Sequence, residues 1–182
     1  MPTPREVRET VLLWLEALGA PYKLYEHSQA NTIEDCLRMP FIGPQVTICK
    51  NVFLCNRQQT AYYLMLLKPE TPFRTAVVSK ALGVSRLSFA PENAMQELLR
   101  LSPGSVSPLG LLFDKEKRIT LCYESAVQET PEIAFHPCDN TATVLVMIPV
   151  GISAAAHLDI SARPVLMSLC VGATVAFLTP VA

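Results

Sequence analysis

Three short stretches carry side chains suited to chemistry on a small polar substrate. They are Lys50-Asn51 within QVTICKNVFLC (45–55), the loop SPGSVSPLG (102–110), and His136-Pro137-Cys138-Asp139-Asn140. Read as one extended strand, residues 45–55 alternate between faces, so Val46, Ile48, Val52 and Leu54 share a face with Lys50. An ammonium group in an apolar row is costly, because burial disfavours its charged form unless a partner or ligand answers it. Two readings are open: Lys50 points into a small-molecule-sized pocket, or a bulge turns it to solvent, where most lysines lie. The 102–110 loop holds two prolines and two glycines in nine residues, which makes it rigid and rich in turns. It is either a plain connection or a cradle, since glycine lets a ligand approach the backbone and successive free N–H groups hold an anion or a carbonyl. His136 is a turn histidine, a general base or a substrate ligand. Asn140 caps the turn into the next strand or contacts substrate.

Several familiar arrangements are missing. The chain has no G-x-S-x-G elbow, no G-x-x-x-x-G-K loop, no G-x-G-x-x-G and no evident pair of carboxylates. Its six cysteines (36, 49, 55, 122, 138 and 170) form no C-x-x-C, and residues 1–10 are polar and charged rather than a signal peptide. Reduced thiols in a cytoplasm are therefore expected. His27, His136 and His157 lack the close spacings of a metal site, so no zinc is expected. With 50% hydrophobic and 17% charged residues, the 182-residue chain is expected to form one well-buried domain, 1–182. The net charge of −1 excludes a global basic field, so any contact with nucleic acid is local.

The elements that must position these groups can be read in order. Thr3-Pro4-Arg5-Glu6 is a capping box with proline at the first helical position, and Val7, Val11, Trp14, Leu15 and Leu18 follow at helical spacing. Gly19 and Pro21 end that helix. A strand is expected at 22–26, a short helix from Thr32, and strands at 45–55 and 60–67 joined by the polar turn 56–59. Helices are expected at 73–82 and 91–100, and short strands at 87–89 and 133–135. Two further strands, 109–113 and 118–123, flank the charged turn 114–117. The apolar strand 141–150 closes this series. After Arg163 the tail carries no charge, but its prolines, glycine and hydroxyls interrupt any run of about 20 apolar residues. A short helix to Val171 and a buried strand at 174–178 are expected there in preference to a membrane anchor. The alternation of helices and strands predicts a mixed α/β fold around one sheet.

At these residues the chain resembles the YbaK/ProX family, bacterial aminoacyl-tRNA deacylases related to the editing insertion of prolyl-tRNA synthetase. The resemblance rests on Lys50-Asn51 followed by Val52-Phe53-Leu54, on the G-x-x-x-P loop Gly104-Ser105-Val106-Ser107-Pro108, and on Phe135-His136-Pro137 with Asn140-Thr141-Ala142 behind it. Residues 82–90, LGVSRLSFA, are similar as well. It runs from about the first helix to Val146 and is strongest toward the free-standing prolyl-tRNA editing branch. The segment 151–171 departs from it, being apolar where the family has a polar helix. The resemblance implies a single domain whose mixed, mostly antiparallel sheet is flanked by helices. It implies in trans hydrolysis of alanine or cysteine from tRNA for proline, without cofactor, metal or covalent nucleophile. In that reading Lys50 and N–H groups of the 104–108 loop stabilise charge on the ester carbonyl, and a ribose hydroxyl of the substrate helps the attacking water. His136 borders the amino-acid pocket, while Asn51 and Asn140 hold the ribose or the amino group. The expected partners are the acceptor end of mischarged tRNA and, in a supporting role, prolyl-tRNA synthetase. Three rivals follow from the residues: a binding module that holds the aminoacyl end or a free amino acid without turnover, a thiol redox protein using Cys49 or Cys55, and a tail-anchored membrane protein.

Overall fold

The computed structural model describes residues 3–147, except 18, 20, 31, 128 and 129. The elements expected beyond Met147, including the apolar tail, lie outside the described residues. The first capping box forms as its sequence requires: Glu6 N donates to Thr3 Oγ1 and Thr3 N donates to Glu6 Oε2. Helix α1 (Pro4–Ala17) then buries Val7, Val11 and Leu15. Gly19 follows in the left-handed region, at φ 62°. Strand β1 (Tyr22–Glu26) leads to helix α2 (Ile33–Leu37), started by a second capping box between Thr32 and Asp35.

The stretch expected as one strand is two, β2 (Val46–Ile48) and β3 (Lys50–Cys55), broken at Cys49. Strand β4 (Tyr62–Leu67), helix α3 (Thr75–Ala81), strand β5 (Ser88–Phe89) and helix α4 (Glu92–Leu99) come next, then strands β6 (Ile119–Tyr123), β7 (Glu132–Phe135) and β8 (Ala142–Met147). Residues expected as a strand at 109–113 instead form a 3-10 helix, Pro108–Phe113. The local cause is Ser107-Pro108: the Ser107 hydroxyl accepts from Leu109 N, and Pro108 has no N–H to lose at the first position. The turn also packs tightly on the end of α4, since a Cβ on Gly110 would come within 2.9 Å of Leu101 Cδ1.

The mixed α/β class holds, and most strand pairings are antiparallel. The strands divide, however, into two four-stranded sheets rather than one, in the orders β1-β8-β7-β2 and β5-β3-β4-β6. Each sheet has two antiparallel pairings and one parallel pair at an edge: β2 with β7 in the first, β4 with β6 in the second. The main core joins both sheets to α1 and α4, through residues such as Val11, Phe53, Leu64, Leu99, Phe135 and Val144. Two smaller clusters cover other faces. Val52, Leu54, Met65 and Leu67 pack with Val78 of α3, while Val46, Ile48, Ala134 and Leu145 pack with Cys36 of α2.

This division explains the lysine in the apolar row. Val46 and Ile48 belong to the cluster at α2, and Val52 and Leu54 to the cluster at α3. Lys50 sits between them, one residue past the point where the chain leaves one sheet and enters the other.

Candidate active site

The gap at that crossing is a cavity of about 210 Å³. Ile48 to Asn51 form one wall, and Ala30, Thr32, Ile33 and Cys36 around the start of α2 form a second. Gly104 and Val106 close it from the loop, and Ala134 to His136 with Thr143 line the remaining side. It lies where the parallel strands β2 and β7 both end and their chains diverge, the position ligands take in open α/β sheets. Its volume is below the range of about 300–1,000 Å³ typical of drug-sized ligands, so it suits a small group rather than a whole nucleotide.

Lys50 opens β3 opposite Leu67 and is half-buried at the cavity wall. Its Nζ donates to the Thr71 carbonyl at 3.0 Å. The loop carrying that carbonyl is itself anchored: Thr71 Oγ1 reaches both Glu124 carboxylate oxygens, at 2.9 and 2.8 Å, and Lys68 N donates to Glu124 Oε2. An ammonium has three donors, so Thr71 steadies the lysine while leaving hydrogens for a ligand.

Asn51 ties the Gly/Pro loop to the same strand, because its Nδ2 donates to the Val106 carbonyl at 2.8 Å. Its Oδ1 is buried and accepts no hydrogen bond from any of the described residues, an unusual state for a buried acceptor. Gly104 adopts φ 88°, a left-handed conformation that side chains rarely tolerate, and so gives the loop its turn into the cavity wall.

His136 stands opposite. Its Nδ1 lies 2.8 Å from the Ala142 carbonyl and therefore carries the proton, which leaves Nε2 as an acceptor 3.6 Å from the Cys36 thiol. Burial holds its pKa below the ordinary imidazole value, against the bond to Ala142, and the His27 ring 5.7 Å away acts in the same direction as burial. The side chain is thus a neutral hydrogen-bonding wall. Cys36 is not an activated nucleophile, because burial and then the Asp35 carboxylate push its thiol pKa up. Burial also raises Cys49, to about 12. Among the described residues no group of three or more His, Cys, Asp or Glu could hold a metal ion.

Of the residues singled out in the sequence, Lys50, Asn51, Gly104, Val106 and His136 line this cavity. Ser105, Ser107, Pro108 and Asn140 do not. Ser107 and Pro108 are buried as the start of the 3-10 helix. Ser105 binds back to the Ser102 carbonyl, and both Ser105 and Asn140 face a neighbouring cavity. Sequence reasoning missed Ala30, Ile33, Cys36 and Thr143. Ile33 and Cys36, three apart on a capped helix, form an apolar edge that helical spacing alone marks as inward-facing.

Comparison with known proteins places the chain in a family and a fold. The family model for the aminoacyl-tRNA editing domain matches residues 27–151. The prolyl-tRNA editing protein ProX of Acetoanaerobium sticklandii is 29% identical over 140 residues, covering 77% of this chain and 85% of its own. The prolyl-tRNA synthetase associated domain-containing protein 1 of Bos taurus is 31% identical over 144 residues, covering 76% and 82%. The fold matches the crystal structure of a proposed trans-editing enzyme for prolyl tRNA synthetase with a TM-score of 0.65, at 16% identity and over 85% of this chain and 93% of that one. The deacylase class expected from the motifs holds, and the chain belongs to the aminoacyl-tRNA editing domain family.

Proposed function

We propose that this protein is a trans-editing hydrolase that removes alanine or cysteine from mischarged tRNA for proline. The observation that carries the reading is the gathering of Lys50, Asn51, Gly104, Val106 and His136 around one small cavity. The substrate is an ester between an amino acid and the terminal ribose. Water adds to the acyl carbon, negative charge builds on the carbonyl oxygen, and the ribose oxygen leaves with a proton.

Lys50 is the group for that charge, since a cation held at the wall of a small cavity stabilises an oxyanion more than it does in water. The Gly104 and Val106 N–H groups have no hydrogen-bond partner among the described residues, which makes them candidate second donors. The orphaned Asn51 Oδ1 is an acceptor for the substrate ammonium. His136 and Cys36 limit the size of the side chain admitted. A neutral histidine and a protonated thiol favour attack by water, helped by a ribose hydroxyl of the substrate, over covalent catalysis. The small net charge favours recognition of the acceptor end alone, with prolyl-tRNA synthetase as a partner that delivers the tRNA.

The test is a deacylation time course on tRNA for proline charged in turn with alanine, cysteine and proline. Rapid loss of alanine or cysteine with proline spared, and dependent on Lys50, is expected. A folded protein that hydrolyses none of the three overturns the reading.

A further inference from the structure

Beside the first cavity lies a larger one of about 620 Å³. The two share a wall built from three chain segments. Gln29 faces the larger cavity and Ala30 the smaller; Pro103 and Ser105 flank Gly104 in the same way; Thr141 and Thr143 divide likewise. At Gly104 this wall carries no side chain, and a Cβ there would meet nothing within 4 Å. A ligand filling the small cavity and extending past Gly104 would enter the large one.

The rim of the larger cavity carries two arginines. Arg5 comes from the first turn of α1, and Arg100 ends α4 in a left-handed conformation, at φ 58°. Arg5 is 87% exposed and its contact is with Glu9, also exposed, a pair that water screens and that an incoming anion can displace. The carboxylate in the cavity, Asp139, is already answered: one oxygen accepts from Thr141 N and Oγ1, and the other lies 3.6 Å from the Arg8 guanidinium. Arginine forks match phosphate oxygens in pairs. The larger volume is in the range of a nucleotide and the smaller is not.

We propose that this second cavity binds the phosphodiester and sugar of the single-stranded end of tRNA, with Arg5 and Arg100 on the phosphates and the aminoacyl group across Gly104 in the first cavity. The inference rests on the deacylase reading of that first cavity. It assigns part of tRNA binding to α1, of which the match to the family model includes no residue.

The test needs no turnover. Binding of a labelled, uncharged RNA ending in CCA is followed by fluorescence anisotropy at several salt concentrations. The proteins are wild type, Arg5→Gln, Arg100→Gln, the double variant and, as control, Lys115→Gln in the remote 114–117 turn, each checked by thermal melting. The double variant is expected to bind at least about tenfold more weakly, and its log–log salt slope to fall by about 0.7 for each phosphate that is no longer neutralised. Lys115→Gln is expected to match wild type. An unchanged affinity and slope in the double variant, or no binding by wild type, overturns the inference. Deacylation is measured separately on the same wild-type protein. Hydrolysis with arginine-independent binding sinks the second cavity alone, and arginine-dependent binding without hydrolysis sinks the deacylase reading alone.

Discussion

Each sheet has a helix on one face, but α3 has seven residues and α2 only five. Under α3 the layer is filled: Leu54, Met65, Leu67, Val78 and Leu87 are at most 1% exposed. The buried polar side chain of α3 is satisfied too, Ser79 Oγ donating to the Thr75 carbonyl and accepting from Leu87 N. Under α2 the same kind of layer is left open, and Lys50, His136 and Cys36 border the space. Two sheets of like pairing thus differ in whether the covering helix is long enough to complete the layer. The closed layer holds the fold, and the open one is free to hold a ligand.

Substitutions on the two layers should separate activity from stability. The largest effect is expected from Lys50→Ala, a fall of about 100- to 1,000-fold in single-turnover deacylation with a melting temperature close to wild type, because one charged donor to a developing oxyanion is worth about that much. Near-normal turnover by the folded variant would erase the distinction between the layers. Next, Leu54→Ala in the closed layer is expected to cost about 2–5 kcal/mol in urea unfolding, whereas Cys36→Ala beside the existing cavity costs under about 1 kcal/mol. Equal costs would show that the α2 layer is packed as fully as the other. Gly104→Ala should destabilise by about 1–2 kcal/mol from its left-handed backbone alone, since its Cβ meets nothing within 4 Å, and should also slow hydrolysis by shifting the loop.

The smallest effect concerns pH. Burial lowers the proton affinity of His136 in the folded state relative to the unfolded chain. Its contribution to stability is therefore complete above the ordinary imidazole pKa near 6.5 and is lost as pH falls through that value toward the lowered one. The melting temperature of wild type minus that of His136→Gln should shrink between pH 7.5 and pH 5. A constant difference would mean that the histidine is as free to protonate as in solvent.

Local signals carry the elements well. Thr3-Pro4-Arg5-Glu6 and Thr32 to Asp35 both form the caps their residue types demand, and Gly19 takes its left-handed place. The break at Cys49 is not legible, because Val46, Ile48, Val52 and Leu54 keep the same period of two on both sides of Lys50, and the division comes only from pairing, β2 with distant β7 and β3 with β4. The turn at Pro108 reads as a strand because Leu109, Leu111 and Leu112 suit one in composition, while the Ser107 cap and the packing on α4 act through contacts. Lys50 stands out because it violates the apolar pattern. Ile33 and Cys36 conform to theirs, so nothing in the chain distinguishes a cavity wall from core.

The crossing at Cys49 also sets an order in time. Strands β3 and β4 are neighbours in sequence and can pair as soon as both exist, but β2 must wait for β7, matching Val46 to Glu132, and β1 for β8, matching Tyr22 to Val146. Such long closures are slow steps in folding, since chain entropy is lost before contacts form. A chain still emerging from the ribosome therefore holds its lysine early and its pocket late. The cavity is complete only when β7 and β8 have returned to the strands made first, so a chain that already contains Lys50 still lacks the wall from Ala134 to His136.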